Sequence, residues 1–411
     1  SFMANASSPP TWLGMDRRVL ALAFARMADA LGNSFLIIVL PLYVASGTVA
    51  GTTFGLPSSL LAGVVLGLFG IASSLTQPFA GRFSDRLGKR KSFVVVGLLG
   101  FSVANLAFLW ADSYLLLFGL RIAQGMAAAL TITASIALVN EVSHGGTRGR
   151  NMGIYNAFRL IGFGSGPLAA SLLVEAGPLS FFGGTLLLTG FEAAFYVAAA
   201  CALLSAGLVQ ILVRDPDATQ PTRERVALSL WHPTRRWHLD PIFALGLITL
   251  GMAACFALLS AIEPEVNAHL DQTPFLFAIE FVALIAALAV VQPFVGRASD
   301  EHGRRGFIII GLVGLIPTTL GQGFVETPMQ MIVVRALQGI TGAFIFAPAL
   351  ALAGDLTQEG QSGAQLSILT ISFGLGIAAG QIIAGFFVTF GFVVPFAVGA
   401  GLAALSLLVV L

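Results

Sequence analysis

Charge is what this chain has least of. Asp, Glu, Lys and Arg together make up 10% of its 411 residues, against about 25% in soluble domains. Hydrophobic residues make up 56% and the mean hydropathy is +0.90, more apolar surface than a soluble fold of this size could bury. Cysteine is almost absent too. Cys201 and Cys255 both fall inside apolar stretches, where small buried hydrophobes are expected rather than a disulfide or metal site. None of the five histidines lies in an apolar stretch, which argues against a histidine proton relay. No phosphate loop, metal cluster or nucleophile constellation is found, so neither an enzyme nor a cofactor is expected. The net charge of +1 gives no reason to expect a nucleic-acid partner. No apolar run precedes Arg18, so no cleavable signal peptide is expected.

The chain is instead rich in long apolar runs. A helix needs about 20 apolar residues to cross the hydrocarbon core, and twelve stretches meet that need. In the first half they are 19–45, 54–80, 92–111, 113–140, 151–175 and 181–213. In the second they are 241–263, 273–295, 306–325, 328–353, 363–389 and 391–411. Seventeen of the 21 Lys and Arg lie in the N-terminal tail and alternate loops, while Arg26, Arg121, Arg159 and Arg335 lie inside spans. The opposite loops carry acids such as Asp112, Asp271 and Glu326. This asymmetry puts the tail, the central linker, the basic loops and both termini in the cytoplasm, and with them the Asn5-Ala6-Ser7 sequon. The expected division is a tail at 1–18, a first bundle at 19–213, a linker at 214–240 and a second bundle at 241–411. Residues 227–237 of the linker read equally as a membrane-surface segment or as a solvated stretch with interfacial tryptophans.

Two motifs occur twice. Gln77–Arg90 contains Gly81, Asp85, Arg86, Gly88 and Arg90, and 215 residues on Gln292–Arg305 contains Gly296, Asp300, Gly303 and Arg304. Arg121-Ile122-Ala123-Gln124-Gly125 recurs 214 residues on as Arg335-Ala336-Leu337-Gln338-Gly339. Parallel six-helix repeats are a known transporter plan, with the substrate site near the midplane between them. On these residues the chain resembles the major facilitator superfamily. That family's signature G-x-x-x-D-R-x-G-R-R between the second and third spans appears as Gly81, Asp85, Arg86, Gly88, Lys89 and Arg90. The fold expected is therefore all-α: a membrane protein of twelve helices in two pseudo-symmetric six-helix bundles. The resemblance implies that Gly81 and Asp85 form a cytoplasmic latch favouring the outward-open state. Glu301 replaces a basic residue in the second copy, which weakens the latch there.

Two further patterns resemble the proton-coupled drug exporters of that superfamily. Arg-x-x-Gln-Gly, at Arg121 and Gln124, implies an arginine tuning a nearby carboxylate; a buried pair that merely locks helices is the competing reading. Gly162, Gly166 and Pro167 match the fifth-helix motif G-x-x-x-G-P-x-x-G-G, with Ala170 and Ser171 in place of its last glycines; generic helix packing competes here. A proton carrier needs an embedded carboxylate. Asp29 is the first candidate and Glu192 and Glu280 the next, with Arg26 placed three residues before Asp29 so that it can neutralise it. Arg335 is the repeat mate of Arg121.

The expected activity is proton-coupled export of hydrophobic or amphipathic small molecules by alternating access. The implied setting is a monomer in the plasma or inner membrane, among lipids, powered by a proton gradient. A facilitator or symporter of a polar metabolite or sugar stays open, as does a non-transporting receptor or lipid scramblase on the same fold.

Overall fold

Apolar runs, punctuated by Gly, Pro and capping residues, set thirteen α-helices among the described residues. The computed structural model describes residues 11–12, 15–143, 148–181, 184, 186–214, 239–356 and 362–411, without the side chains of 11–16, 85, 148–149, 181, 186, 354 and 362–367. The helices of the first half are α1 (Arg17–Ala45), α2 (Ser58–Leu87), α3 (Arg90–Ala107), α4 (Tyr114–Val142), α5 (Arg148–Ala176) and α6 (Gly190–Leu212). Those of the second are α7 (Pro241–Ala257), α8 (Glu263–Leu270), α9 (Pro274–His302), α10 (Arg304–Gly321), α11 (Pro328–Asp355), α12 (Ser362–Phe387) and α13 (Val394–Val410). Eleven helical segments among the described residues are long and apolar enough to span a membrane, and the 17-residue α13 is a shorter twelfth. The protein is thus mostly helical, as expected. The linker segment 227–237 lies outside the described residues.

Three boundaries differ from the sequence reading, each for a local reason. The basic strings are not loops. At 30 residues α2 is about 45 Å long, more than the ~30 Å hydrocarbon core needs, so Gln77–Leu87 rides on its end. Gly88, at φ +60, makes the turn in the left-handed conformation that suits glycine. The sixth span begins at Gly190, not 181. Residues Leu179–Phe181 and Leu186–Leu188 form an antiparallel hairpin, and a capping box between Thr189 and Glu192 starts α6. The seventh span ends before 263, because Glu263-Pro264-Glu265 opens the separate short helix α8.

The two halves repeat the same packing. In the first, Gly125 of α4 lets that helix close on the carbonyl of Phe69 in α2. In the second, Gly339 of α11 does the same on Leu284 in α9. Gly162 and Gly166 seat α5 on Met27 and Leu31 of α1, as Gly376 and Gly380 seat α12 on Leu250 and Ala254 of α7.

The halves meet through α2 against α12 and α5 against α9. Ser59 Oγ donates to the Gly385 carbonyl at 2.8 Å, Gly63 abuts Gln381, and Gly70 abuts Gly374. On the other seam the Phe275 amide donates to Glu175 Oε1 at 2.8 Å, and Phe163 packs on Phe281. These approaches run from the end opposite the basic turns to about mid-depth. At the basic end a Cβ on Gly81 would meet nothing within 4 Å.

Candidate functional site

Three buried polar clusters lie within the bundles. The first centres on Arg121 in α4. Its Nε donates to the Val65 carbonyl at 2.9 Å and an Nη to Leu66 at 3.3 Å, both on α2. Its other Nη donates to Gln124 Oε1 at 2.8 Å, and Gln124 passes the chain on to Asn105 of α3 at 2.6 Å. The guanidinium also sits 4.8 Å from the Phe69 ring centre, in cation–π range. Arg121 is thus held by neutral groups, and among the described residues no carboxylate pairs with it.

The second cluster is the repeat mate with one change. Arg335 donates to Gln338 Oε1 at 2.7 Å and to the Phe256 carbonyl at 3.3 Å. Gln338 continues to Thr319 Oγ1 at 3.1 Å, in the place of Asn105. The residue corresponding to Val65, 215 positions on, is Glu280. Arg335 and Glu280 act on one another electrostatically. Glu280 is fully buried, neither of its oxygens has a hydrogen-bond partner, and Arg335 Nε is also unpartnered. A buried carboxylate in that state is costly when charged.

Glu263, at the start of α8, is a second fully buried acid with both oxygens unpartnered. Burial, and then the nearby Glu280 carboxylate, push its pKa well above the ordinary range. The amides of Asn267 and Gln272 lie near Glu263 and Glu280, beyond good hydrogen-bonding geometry. Sequence reading passed over Glu263 because it stood at a span boundary.

The third cluster joins α1 and α5. Arg26 Nη1 is paired with Asp29 Oδ2 within α1, so Asp29 has the partner that the three-residue spacing predicts. Arg159 of α5 lies near enough to Arg26 for the two guanidiniums to repel, and near Tyr155, whose hydroxyl bonds Ser135 at 2.5 Å.

The remaining candidates fall elsewhere. Glu192 is not embedded: it caps α6, accepting from the Thr189 amide at 2.8 Å, which corrects its place among the membrane acids. Gly162 and Gly166 perform helix packing. Their equivalents Gly376 and Gly380 do the same in the second half, so only Pro167, inside α5, distinguishes the motif. At the basic end Arg90 pairs with Glu141 at 2.6 Å and Arg304 with Asp355 at 2.5 Å. Both pairs are 51 residues apart in sequence, and both acids were missed. Carrying the 214-residue offset through to the fourth span of each half, α4 and α11, would have found them. Arg304 also meets Asp300 at 2.7 Å. Arg86 is exposed, and the side chain of Asp85 lies outside the described residues. The turn glycines Gly88 and Gly303 have φ +60 and +93. Gly296 has only Ala347 within reach of an added Cβ, at 4.0 Å.

A sequence model described as Major Facilitator Superfamily matches residues 22–279 and 245–411. The chain belongs to this superfamily. Among its curated relatives is the quinolone resistance protein NorA of Staphylococcus aureus, 24% identical over 242 residues, which cover 58% of this chain and 57% of NorA. The chain therefore spans about half the length of the NorA proteins it matches. A probable vesicular acetylcholine transporter-B of Danio rerio is 25% identical over 90% of this chain and 74% of its own length. In fold the protein is similar to a bacterial homolog of the human lysosomal transporter Spinster, in an inward-facing and occupied conformation (TM-score 0.73, 13% identity, 95% and 93% of the two chains). It is also similar to the human organic anion transporter MFSD10 (TM-score 0.69, 19% identity, 96% and 99% of the two chains). Membership in the superfamily, together with the spanning-length helices, makes this a multi-pass membrane protein.

Proposed function

We propose that this protein is a proton-coupled exporter of hydrophobic or amphipathic small molecules. It would act as a monomer by alternating access, in a plasma or inner membrane with both termini cytoplasmic. The similarity to NorA supports the drug-export class, and the distribution of Lys and Arg supports the orientation. In that orientation the halves are closed on the outer side, and at the cytoplasmic end an added Cβ on Gly81 would meet nothing within 4 Å.

The observation that carries proton coupling is Glu280. The two halves share their arginine–glutamine networks, but where the first places a valine the second places a buried acid against Arg335. An acid that is neutral when buried and charged when hydrated converts a proton gradient into a preference between conformations. Asp29, the first candidate from sequence, is the weaker choice because Arg26 neutralises it within one helix.

Reconstitution in liposomes tests this. A dye substrate such as ethidium should move when a pH gradient is imposed, and Glu280→Gln should abolish the gradient dependence while leaving exchange down the substrate gradient. Full coupling in Glu280→Gln would sink the assignment. Coupling lost in Asp29→Asn alone, with Arg26 still buried and the protein folded, would return the role to Asp29.

A further inference from the structure

Arg159 is an intramembrane arginine that neither the fold nor the proton scheme uses. It lies about 16 Å along α5 from the helix start, among the apolar residues of a span. Among the described residues it makes no hydrogen bond and no ion pair. This sets it apart from the other three intramembrane arginines: Arg26 has Asp29, Arg121 has two carbonyls and Gln124, and Arg335 has Gln338 and Glu280. Arg159 is partly exposed rather than sealed. It stands one turn before Phe163, on the same helix face, and Phe163 packs on Phe281 of α9. It stands one turn nearer the basic end than that contact.

An unpaired guanidinium inside a membrane is costly and calls for a partner or a water-filled cavity. Around Arg159 the charges do not balance. Two guanidiniums, Arg26 and Arg159, repel each other across the α1–α5 seam, and among the described residues Asp29 is the single carboxylate beside them. One positive charge is left over. Phe158, the residue before Arg159, meets Phe24 of α1 edge to face at 4.9 Å, with Phe24 partly exposed.

We infer that Arg159 is a substrate-binding residue, and that it takes amphipathic organic anions whose carboxylate or similar group pairs with its guanidinium while the apolar body lies against Phe24 and Phe158. Guanidinium suits this task because its planar fork matches a carboxylate in two hydrogen bonds. The inference rests on the transporter reading above but not on its proton step. A bound anion would cancel the excess charge, so the loaded first half would cross the conformational change near neutrality.

Equilibrium binding to the purified protein, with no gradient, tests it independently of coupling. The probes are naphthalene-2-carboxylate, the matching neutral amide, and ethidium. Wild type should prefer the carboxylate to the amide by about tenfold or more, the scale of a charge-assisted hydrogen bond in a desolvated site. Arg159→Gln should erase that preference and leave amide binding within a few-fold, and Arg159→Lys should keep part of it. Raised salt should weaken the carboxylate alone. The wild-type ratio can be read even if Arg159→Gln does not fold. Absence of carboxylate binding by wild type, equal binding of carboxylate and amide, or an unchanged ratio in Arg159→Gln would each overturn the proposal.

Discussion

At the scale of single residues, the meaning of an embedded charge comes from its partner, and partners are only partly written in the sequence. Arg26 and Asp29 were legible because a spacing of three places them on one helix face. Arg121 and Arg335 read as equivalent in sequence and differ in space: both bond a glutamine and backbone carbonyl oxygen, but only Arg335 also faces a carboxylate, Glu280. Asp29 is best treated as half of a buried pair. Asp29→Asn should lower stability by about 3–5 kcal/mol, the cost of leaving a buried charge unpaired. Arg26→Gln added to it should recover much of that loss, as thermal melts in detergent would show. Glu263 carries a pH prediction. Its pKa is raised, so its stabilising contribution to the outer-closed form is full below the ordinary carboxylate range and is lost as pH rises through the raised value. The charged or titratable groups around it are Glu265 and His269 on α8, Glu280 on α9 and, beyond that, Arg335. The facing parts of α1, α2 and α12 offer only the Tyr43 hydroxyl. Labelling of a cysteine introduced at Ser59 should therefore increase with pH in wild type and become flat in Glu263→Gln. A pH-independent wild type would refute the assignment.

At the scale of elements, glycine decides which helices touch, and the seams differ in consequence. Gly162 closes α5 on α1 within one half, whereas Gly63 closes α2 on α12 between halves. A side chain at either meets backbone rather than a flexible tip, so overpacking should cost about 1–3 kcal/mol. The destinations should differ. Gly162→Val should lower the melting temperature. Gly63→Val should instead open the outer seam, raising labelling at Ser59 with little loss of melting temperature. Equal effects on both readouts would mean that the two seams are one cooperative unit. Sequence periodicity placed the spans well but erred at 181–189 and at 263, where a hairpin and a proline-started helix interrupt runs that remain apolar by composition.

At the scale of the whole molecule, the repeat was the most legible feature, because an offset of 214 or 215 residues needs no structure to detect. Cavity and seam were not legible, since they depend on which faces of twelve helices meet. In the outer-closed form the basic end of α2 is uncrowded around Gly81, although the superfamily signature fixes glycine there. If glycine is needed only when the cytoplasmic ends come together, Gly81→Val should leave the melting temperature unchanged and slow transport by about tenfold or more, as expected when a conformational step is rate-limiting. A matching fall in stability would mean that the residue already packs in the present form.

The offset itself changes by one, from 215 along the second helices to 214 from the third onward. The change falls at the turn: Lys89 stands between Gly88 and α3, whereas α10 begins at Arg304 directly after Gly303. A residue lost within a helix would have rotated everything after it by about 100° and swung Thr319 away from Gln338. Lost in a glycine turn, it left every later contact in register. The turns are thus where this duplicated gene could drift in length without penalty, and they offer a natural place to insert a reporter loop.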